Sequence, residues 1–472
     1  MKSRNATNAT ARTLLVFALL SAGCRKDGGS VDVMGRDPMQ PDAGASMDAG
    51  GSDASDMPDA AMPNPDSGSK TDSGSRDASV KPVDDDADVD PQDPLRDCHM
   101  AAADNALAIS APISDEGGFS LTIGLTGFGV AYRSQSGCGR IGALPVAALG
   151  AFNEPSSLLG PDCNNIQDVA LLRITDGWQL AWVDNGAGSA ELRTLGLSDG
   201  MNAAAGSVIA QVTHNMLREY RPVLGDIAGT PYAVWIAADV NSGKRQIDAK
   251  NLSDQSDVVN LLGADSGHKP VALAFSAMGA QGASLAFIDD QQTRGVWLQA
   301  LSKSLAPVGS PMLVSDAVSA GSSMDIAARD EQGGAIIYSV DIGSGSHEVR
   351  FRRLDPVGNL TGPETKIVGG ALQGRDASIA RLGGGFVVAY RQLPAGAITK
   401  SEVRIAFITK EGDIQRDNAG RMISYPVADA GETGGRVTVR FSTDGELLVG
   451  FVDSDDTGTK LKLVRKRLDC AL

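Results

Sequence analysis

Seven aromatic residues recur at nearly constant spacing along the last four-fifths of this 472-residue chain. Each follows a small or apolar residue and lies in a short apolar run, as in GFGVAYR, WQLAWVD and GFVVAYR. They are Tyr132, Trp182, Trp235, Phe287, Tyr338, Tyr390 and Phe451, and their spacings are 50, 53, 52, 51, 52 and 61 residues. A period of this length predicts an array of similar units that bury a core only by packing on one another.

Short apolar and alternating runs around each aromatic residue predict the strands of one unit. In the sixth unit, DASIARL, FVVAYRQ, SEVRIAFIT and RMISYP follow one another, with glycine-containing turns among them. The aromatic run is almost continuously apolar, which is typical of a strand buried on both faces. Units of four short antiparallel strands at this period are the signature of a β-propeller. We therefore expect an all-β, seven-bladed propeller over residues 98–472.

The two ends of the array predict how the ring closes. The last unit ends after its third run, LKLVRKR, and residues 105–112 have strand character but no unit of their own. Pairing this segment beside the final strand would complete the last blade and remove an exposed sheet edge. We interpret the seven aromatic residues as packing between blades rather than as ligand-stacking residues, because their neighbours are apolar.

Residues 1–23 have the layout of an export signal. A basic beginning precedes an apolar stretch at residues 14–20, which is shorter than the about 20 residues that a membrane span needs. Small residues then lead into Cys24, and this junction resembles the lipobox of bacterial lipoproteins, although Ser21 stands where that pattern favours leucine. An ordinary secretory signal is the alternative.

The lipobox resemblance implies cleavage before Cys24 and a diacylglycerol on its sulfur. The exported chain would then be anchored to the bacterial cell envelope by lipid alone, since no second long apolar segment exists in the sequence. We favour the outer membrane or the cell surface, with the inner membrane as the alternative.

Residues 24–97 differ in composition from the rest of the chain. Residues 25–97 hold 18 Asp against 7 Lys or Arg, a net charge of −11, and contain no aromatic residue. Such a segment cannot bury enough apolar area to offset its ordering entropy. We expect a disordered, extended tether that holds the array away from a membrane surface.

Four cysteines remain in the array: Cys98, Cys138, Cys163 and Cys470. Export permits disulfides, and four cysteines allow three pairings. We favour Cys98–Cys470, which joins the two ends of the array, and Cys138–Cys163, which lies within the first unit and the linker after it. A zinc site is the alternative, but the sequence offers no C-x-x-C pair.

Arginines recur in or just after the first run of several units: Arg173, Arg329, Arg381 and Arg440. First strands lie nearest the axis of a propeller, so these side chains can line the channel as an anion site, although alternation can equally turn them to solvent. The resemblance to the propeller superfold raises the question of sialidase-like glycoside hydrolysis. The repeated S-x-D-x-G-x-T-W turns of sialidases are absent from this sequence.

Aspartates open the loop after the aromatic run in five units: Asp184, Asp239, Asp289, Asp341 and Asp453. Aspartate favours turns because its carboxylate accepts hydrogen bonds from nearby backbone N–H groups. The alternative is a calcium site at Asp453, Asp455 and Asp456, where carboxylates precede a glycine. This segment lacks the further aspartate and the distant glutamate of a full calcium loop, so we favour the turn.

Motifs for several function classes are missing from the sequence. It contains no G-x-S-x-G elbow, P-loop, H-E-x-x-H or dinucleotide fingerprint, and its four histidines do not cluster with a nucleophile. The array carries a net charge of −8 once the −11 of the tether and the +3 of the signal are set aside, so no nucleic-acid partner is expected. No cofactor is expected either, calcium apart.

We therefore expect a membrane-tethered, exported binding or scaffold module for an envelope or extracellular protein or glycan, acting as a monomer. The alternative is an enzyme, a glycoside hydrolase or lyase, that acts on polysaccharide or another envelope polymer at the propeller channel. Two carboxyl groups that converge at the channel mouth would favour hydrolysis, whereas a channel without converging acids would favour binding.

Overall fold

A computed structural model of the chain describes its C-terminal part. The described residues are 98–469 apart from 101–110, 113–117, 126, 134–140, 147–165, 186–189, 202–208, 215–216, 240, 255–256, 278–281, 292–293, 317, 319–321, 330–332, 344–345, 370–371, 384, 395–400, 432–434, 443–444 and 456–457. The expected signal (1–23), Cys24 and the expected tether (24–97) therefore lie outside the described residues. Over the described residues, no helix is long and apolar enough to span a membrane.

The described residues form seven antiparallel sheets, numbered here in chain order. Sheet 1 contains β3 (Phe119–Gly124), β4 (Gly127–Arg133) and β5 (Ile141–Val146). Sheet 2 contains β6 (Ile166–Ile174), β7 (Gly177–Asn185), β8 (Ala190–Leu197) and β9 (Ile209–His214). Sheet 3 contains β10 (Leu217–Ile227), β11 (Thr230–Asp239), β12 (Arg245–Asn251) and β13 (Val259–Leu262).

The later sheets repeat this meander of neighbouring strands. Sheet 4 contains β14 (Pro270–Ala277), β15 (Ala283–Asp289), β16 (Gly295–Leu301) and β17 (Pro307–Ser315). Sheet 5 contains β18 (Met324–Arg329), β19 (Gly333–Asp341), β20 (His347–Leu354) and β21 (Leu360–Val368). Sheet 6 contains β22 (Leu372–Leu382), β23 (Gly385–Pro394), β24 (Ser401–Thr409) and β25 (Tyr425–Ala430). Sheet 7 contains β26 (Val437–Phe441), β27 (Glu446–Asp455) and β28 (Gly458–Asp469), joined by β1 (His99–Met100) and β2 (Ala111–Pro112).

The predicted all-β propeller with four-stranded antiparallel blades is confirmed. The finer prediction of seven complete blades is not shown, because six sheets have four or more strands whereas sheet 1 has three among the described residues. Residues 147–165, which follow β5, lie outside the described part of the chain.

Sheet 7 combines both ends of the array. In β1, His99 is opposite Asp469 and Met100 is opposite Leu468, so the strand runs antiparallel to β28. In β2, Ala111 is opposite Leu461 on the same strand. This is the pairing expected for the end of the 105–112 segment, whose earlier residues lie outside the described part. Pairing of N-terminal strands with the last strand satisfies backbone groups that would otherwise form an open edge.

The aromatic residues of the second strands form the contacts between sheets. Trp182, Trp235, Phe287, Tyr338, Tyr390 and Phe451 are fully buried, and Tyr132 is nearly so. Buried apolar clusters join each sheet to the next, and one of them joins sheet 7 back to sheet 1. Gly450, which precedes Phe451, permits this last contact: a Cβ there would lie 2.8 Å from Leu121 Cδ1 of sheet 1. The assignment of these rings to inter-blade packing agrees with this burial.

Candidate ligand site in the axial channel

The first strands of the sheets surround an axial channel that contains two cavities. Cavity A, of about 390 Å³, lies where the first strands begin and is lined by sheets 2 to 7. Cavity B, of about 320 Å³, is lined by residues further along all seven first strands. Cavity A falls in the size range of small-molecule sites in proteins. Each cavity is lined by five charged residues, and most of those of cavity A lie at equivalent positions of their sheets, as described next.

One structural position in each sheet supplies the side chains of cavity A. In five sheets, the first-strand residue that pairs with the aromatic residue of the second strand is apolar: Phe119, Val169, Leu273, Met324 and Val437. In sheets 3 and 6 a β-bulge lies at this point instead. The residue just before this paired residue, or the first residue of the bulge, belongs to a set that we call the axial ring: Gly118, Asp168, Arg221, Ala272, Ser323, Asp376 and Arg436. The last six of these line cavity A. Residues about fifty positions apart in sequence therefore become neighbours around one axis.

Two members of the axial ring have strained backbones. Arg221 has φ 46° and Asp376 has φ 53°, in the left-handed region that residues with a Cβ rarely adopt. Both lie at β-bulges, between Tyr220 and Val223 in β10 and between Arg375 and Ser378 in β22. Bulges re-aim side chains, and strained residues cluster at functional sites. The strain therefore marks this end of the channel as the candidate site.

Asp376 has unusual electrostatics within this ring. Its side chain is 18% exposed and its Oδ2 lies 3.4 Å from Nε of Arg391. Burial raises the pKa of Asp376 from 3.8 to about 6, and the opposing attraction of Arg391 and Arg375 only partly offsets this rise. The small opening towards cavity A supplies little water compared with the protein on the other sides. The carboxyl group therefore changes charge near pH 6.

Arg391 connects Asp376 to the neighbouring sheet. Its side chain is 1% exposed. It donates hydrogen bonds to Val452 O at 2.7 Å, Gly431 O at 3.1 Å and Ser401 Oγ at 2.9 Å. Burial lowers the pKa of Arg391, and Asp376 opposes this change. The guanidinium thus ties sheet 6 to sheet 7 directly behind the cavity wall.

Asp325 lies deeper and contributes to both cavities. Its Oδ2 accepts hydrogen bonds from Ser378 Oγ at 2.5 Å and Ile379 N at 3.2 Å. Arg440 Nη1 lies 3.5 Å from the same oxygen. Three sheets therefore meet at one carboxylate in the middle of the channel.

Arg436 extends into the space between the two cavities. Arg436 is exposed, because the channel is open to solvent, although protein surrounds it at longer range. Among the described residues, its guanidinium donates one hydrogen bond, a long one of 3.4 Å to Phe119 O, and none of their carboxylates forms an ion pair with it. Burial lowers the pKa of Arg436; Asp325 and Asp168 oppose this, and Arg440 and Arg221 add to it.

The four arginines selected from the sequence lie in different places. Arg381 and Arg440 line cavity B. Arg173 lines neither cavity: it pairs with Asp199 and lies over the ring of Trp178, 5.2 Å from its centre. Arg329 is opposite Gly333 at the end of β18, and its side chain lies outside the described part. Binding of a ligand by any of them stays a prediction.

Sequence reasoning did not select Asp168, Arg221, Asp325, Asp376 or Arg436. A signal for Arg436 was present: in RVTVRF it lies four residues before Arg440, on the same face of the strand, while the residues between them alternate. The members of the axial ring lie 14 or 15 residues before the aromatic residue of the same unit, so the aromatic period brings them close to one column of the sequence. The bulges that re-aim Arg221 and Asp376 leave no clear signal in the sequence.

The aspartates after the second strands have turn and ion-pair roles. Asp239 accepts from the N–H groups of Asn241 and Ser242, and Asp341 from that of Gly343. Asp289 accepts from Lys269 N at 2.7 Å and lies 2.6 Å from Nδ1 of His268. Asp184 Oδ2 lies 3.4 Å from Arg193. The bonds of Asp239 and Asp341 are those of turn aspartates, whereas the cited contacts of Asp184 and Asp289 are with residues outside their own turns.

The proposed calcium segment is only partly described. Asp453 is buried, accepts from Gly431 N at 2.6 Å and pairs with Lys462. The side chain of Asp455 and all of Asp456 lie outside the described part. Within the residues that the structure describes, no three His, Cys, Asp or Glu side chains are grouped closely enough to hold a metal ion. Calcium binding at this segment stays a prediction.

Comparisons with known proteins place the chain in no family. No family model and no curated protein matches it. Among solved structures it is similar to the phage phi92 endosialidase, with 10% identity over 77% of this chain and 69% of that one and a TM-score of 0.44. It is also similar to the GH43 endo-arabinanase from Bacillus licheniformis, with 14% identity over 64% and 94% of the two chains and a TM-score of 0.35. A Dyadobacter fermentans protein of unknown function matches with 12% identity over 65% and 94% and a TM-score of 0.39. These similarities are too distant to assign a function, which has to be argued from the channel itself.

Proposed function

We propose that this chain is an exported binding module, a seven-bladed propeller that holds a glycan segment in cavity A. The observation that carries the proposal is the convergence of Asp168, Arg221, Asp376 and Arg436 from four sheets on one cavity, with strained backbone at two of them. Strain of this kind persists where the surrounding fold maintains it for a function. The three-stranded sheet 1 would be the seventh blade.

A sugar fits this cavity better than a protein surface does. The site is concave and of small-molecule size, whereas protein partners need flat areas of several hundred Å². Carboxylates and hydroxyls such as those of Asp168 and Ser323 accept hydrogen bonds from sugar hydroxyls, and guanidinium groups donate them. A mixed set of donors and acceptors around one axis suits a ligand rich in hydroxyl groups. A protein ligand remains the alternative partner.

The cellular setting is proposed from the sequence. Residues 1–23 would direct export, Cys24 would carry the lipid, and residues 24–97 would hold the propeller away from the envelope surface. The chain would act as a monomer at the outer membrane or the cell surface, without a nucleic-acid partner.

Two disulfides belong to the same proposal. For Cys98–Cys470, support comes from the register of β1: His99 lies opposite Asp469, and the same register continued by one residue would bring Cys470 beside Cys98, which is buried and carries no free thiol. Cys138 and Cys163 lie outside the described residues, and their pairing rests on the sequence alone. Peptide mapping of the unreduced chain tests both, and a linked peptide joining Cys98 to Cys138 or Cys163 would refute the scheme.

Glycan binding is tested with an array of neutral and acidic oligosaccharides probed by the full chain. We expect a defined group of glycans to bind, and Asp168→Ala to weaken their binding about tenfold, the effect of losing one hydrogen bond to a charged group. Asp176→Ala is the matched control, since Asp176 lies in the exposed turn of the same sheet. Absence of any glycan above background would refute the proposal, as would equal losses in both variants.

A second candidate function is hydrolysis of the bound glycan. The observation that favours it is a pair of carboxyl groups in different environments on one cavity: burial raises the pKa of Asp376 to about 6, whereas Asp325 accepts hydrogen bonds from two donors. Pairs of this kind serve as general acid and as base or nucleophile in glycosidases. New reducing ends in envelope polysaccharide incubated with the chain, lost in Asp376→Asn, would support hydrolysis. Glycan binding without new reducing ends would refute hydrolysis and leave binding as the function of the chain.

A further inference from the structure

Two arginines that line cavity A, Arg221 and Arg436, form no ion pair with a carboxylate among the described residues. Asp168, the nearest acid along the ring, uses its Oδ2 to accept from the backbone N–H of Arg221 at 3.1 Å rather than from a guanidinium. Asp376 is already paired with Arg391 behind the wall. Arg221 and Arg436 are therefore available to a ligand.

The charges around Arg436 do not balance. The charged groups that act on it are the carboxylates of Asp325 and Asp168 and the guanidinium groups of Arg440 and Arg221. Counting Arg436 itself, three positive groups face two negative ones. Arg221 and Arg436 are both exposed towards the channel, so a bound anion can reach them and supply the counter-charge that these carboxylates do not. Around Arg436, and with Asp376 already paired with Arg391, the protein therefore supplies one carboxylate fewer than it supplies guanidinium groups.

We infer that the glycan held in cavity A carries one singly charged anionic group, a sugar carboxylate or sulfate ester, bound between Arg221 and Arg436. This inference rests on the proposed glycan-binding function and names its ligand class. Planar guanidinium groups bind such oxyanions through two parallel hydrogen bonds. In the ring, Asp168 is the neighbour of Arg221, and Asp376 is the neighbour of Arg436. Their carboxyl groups accept hydrogen bonds from the hydroxyls of the same sugar.

The position of the two arginines also sets the orientation of the ligand. Arg221 belongs to sheet 3 and Arg436 to sheet 7, so an anion that contacts both must lie across the channel rather than along one blade. Arg440 is held by Asp325, 3.5 Å away, and by a bond of its own to Val439 O. It therefore forms the floor beneath the anion rather than a third ligand-binding group.

The test uses the full chain on an array that holds neutral, uronate-containing and sulfated oligosaccharides. The best acidic binder is then compared with its carboxyl-reduced or desulfated counterpart by calorimetry. We expect the acidic form to bind at least tenfold more tightly, with affinity that falls as salt is raised. Arg436→Gln and Arg221→Gln should each reduce its affinity about tenfold to hundredfold, the effect of losing one charge-assisted hydrogen-bonding partner.

Controls separate this inference from the proposed function. Arg294→Gln removes an exposed arginine outside both cavities and should leave affinity unchanged, while Arg436→Lys keeps the charge and should retain part of it. Equal binding of neutral and acidic glycans would overturn the inference while the glycan-binding function stands. Acidic binding that survives both glutamine substitutions would overturn it as well. No glycan binding of any kind would refute the proposed function itself. Preference for uronates or for sulfated sugars identifies which anion the site takes.

Discussion

Replacing Asp376 by asparagine isolates the cost of a buried carboxyl group in the axial ring. Asparagine has the same shape and tolerates the left-handed backbone that Asp376 adopts at φ 53°. It carries no charge at any pH, so the substitution removes only the ionisation of the carboxyl group and its attraction to Arg391. Comparing the two proteins across pH isolates the ionisation of the carboxyl group, because only the wild-type side chain changes charge between pH 4 and pH 8.

The sign of the effect follows from the raised pKa. In the unfolded chain the carboxyl group ionises near 3.8, and in the folded chain near 6. The contribution of Asp376 to stability is therefore complete below pH 4 and is lost as the pH rises through 6. A shift of this size corresponds to about 3 kcal/mol. Because 18% of the side chain is open to the cavity, we expect water to reduce this to about 1–2 kcal/mol.

The assay is denaturant unfolding of the wild-type chain and Asp376→Asn at pH 4 and pH 8. We expect the stability of the variant relative to wild type to increase by about 1–2 kcal/mol between the two pH values. Asp176→Asn, in an exposed turn, serves as the control and should show no such change. Parallel pH profiles for wild type and Asp376→Asn, or a relative loss of stability in the variant at pH 8, would refute the reasoning.

Three further outcomes follow from the described contacts. Arg391→Met should destabilise the chain by about 3–5 kcal/mol, because the buried acceptor Val452 O loses its donor; a thermal midpoint equal to wild type would contradict the clamp between sheets 6 and 7. Trp182→Ala should cost about 3–5 kcal/mol without altering glycan affinity, since Trp182 is fully buried; lost affinity at unchanged stability would instead make it a ligand-stacking residue. Calcium should leave the thermal midpoint unchanged, because Asp453 is already paired with Lys462; a rise in the midpoint would establish a calcium site.

The architecture of the propeller could be predicted because its signals are local and repeated. Seven aromatic residues at one period, set in continuously apolar runs, are sufficient to place the second strands and to assign their rings to the contacts between sheets. The unassigned strand before the first unit indicated closure against β28, where Ala111 and Leu461 now pair. The sequence of the first unit did not show whether sheet 1 has a fourth strand, because the pattern of its later strands is weak.

The composition of the channel was decided only by the tertiary structure. Asp168, Arg221, Asp376 and Arg436 lie 53, 155 and 60 residues apart along the chain, and they meet because the ring returns the same strand position to the axis in every sheet. Bulges in β10 and β22 then turn two of these side chains into the cavity, an effect of strand pairing that periodicity cannot express. Local patterns determine which strands form, whereas the charge of a site depends on which distant side chains the closed ring brings within reach of one another.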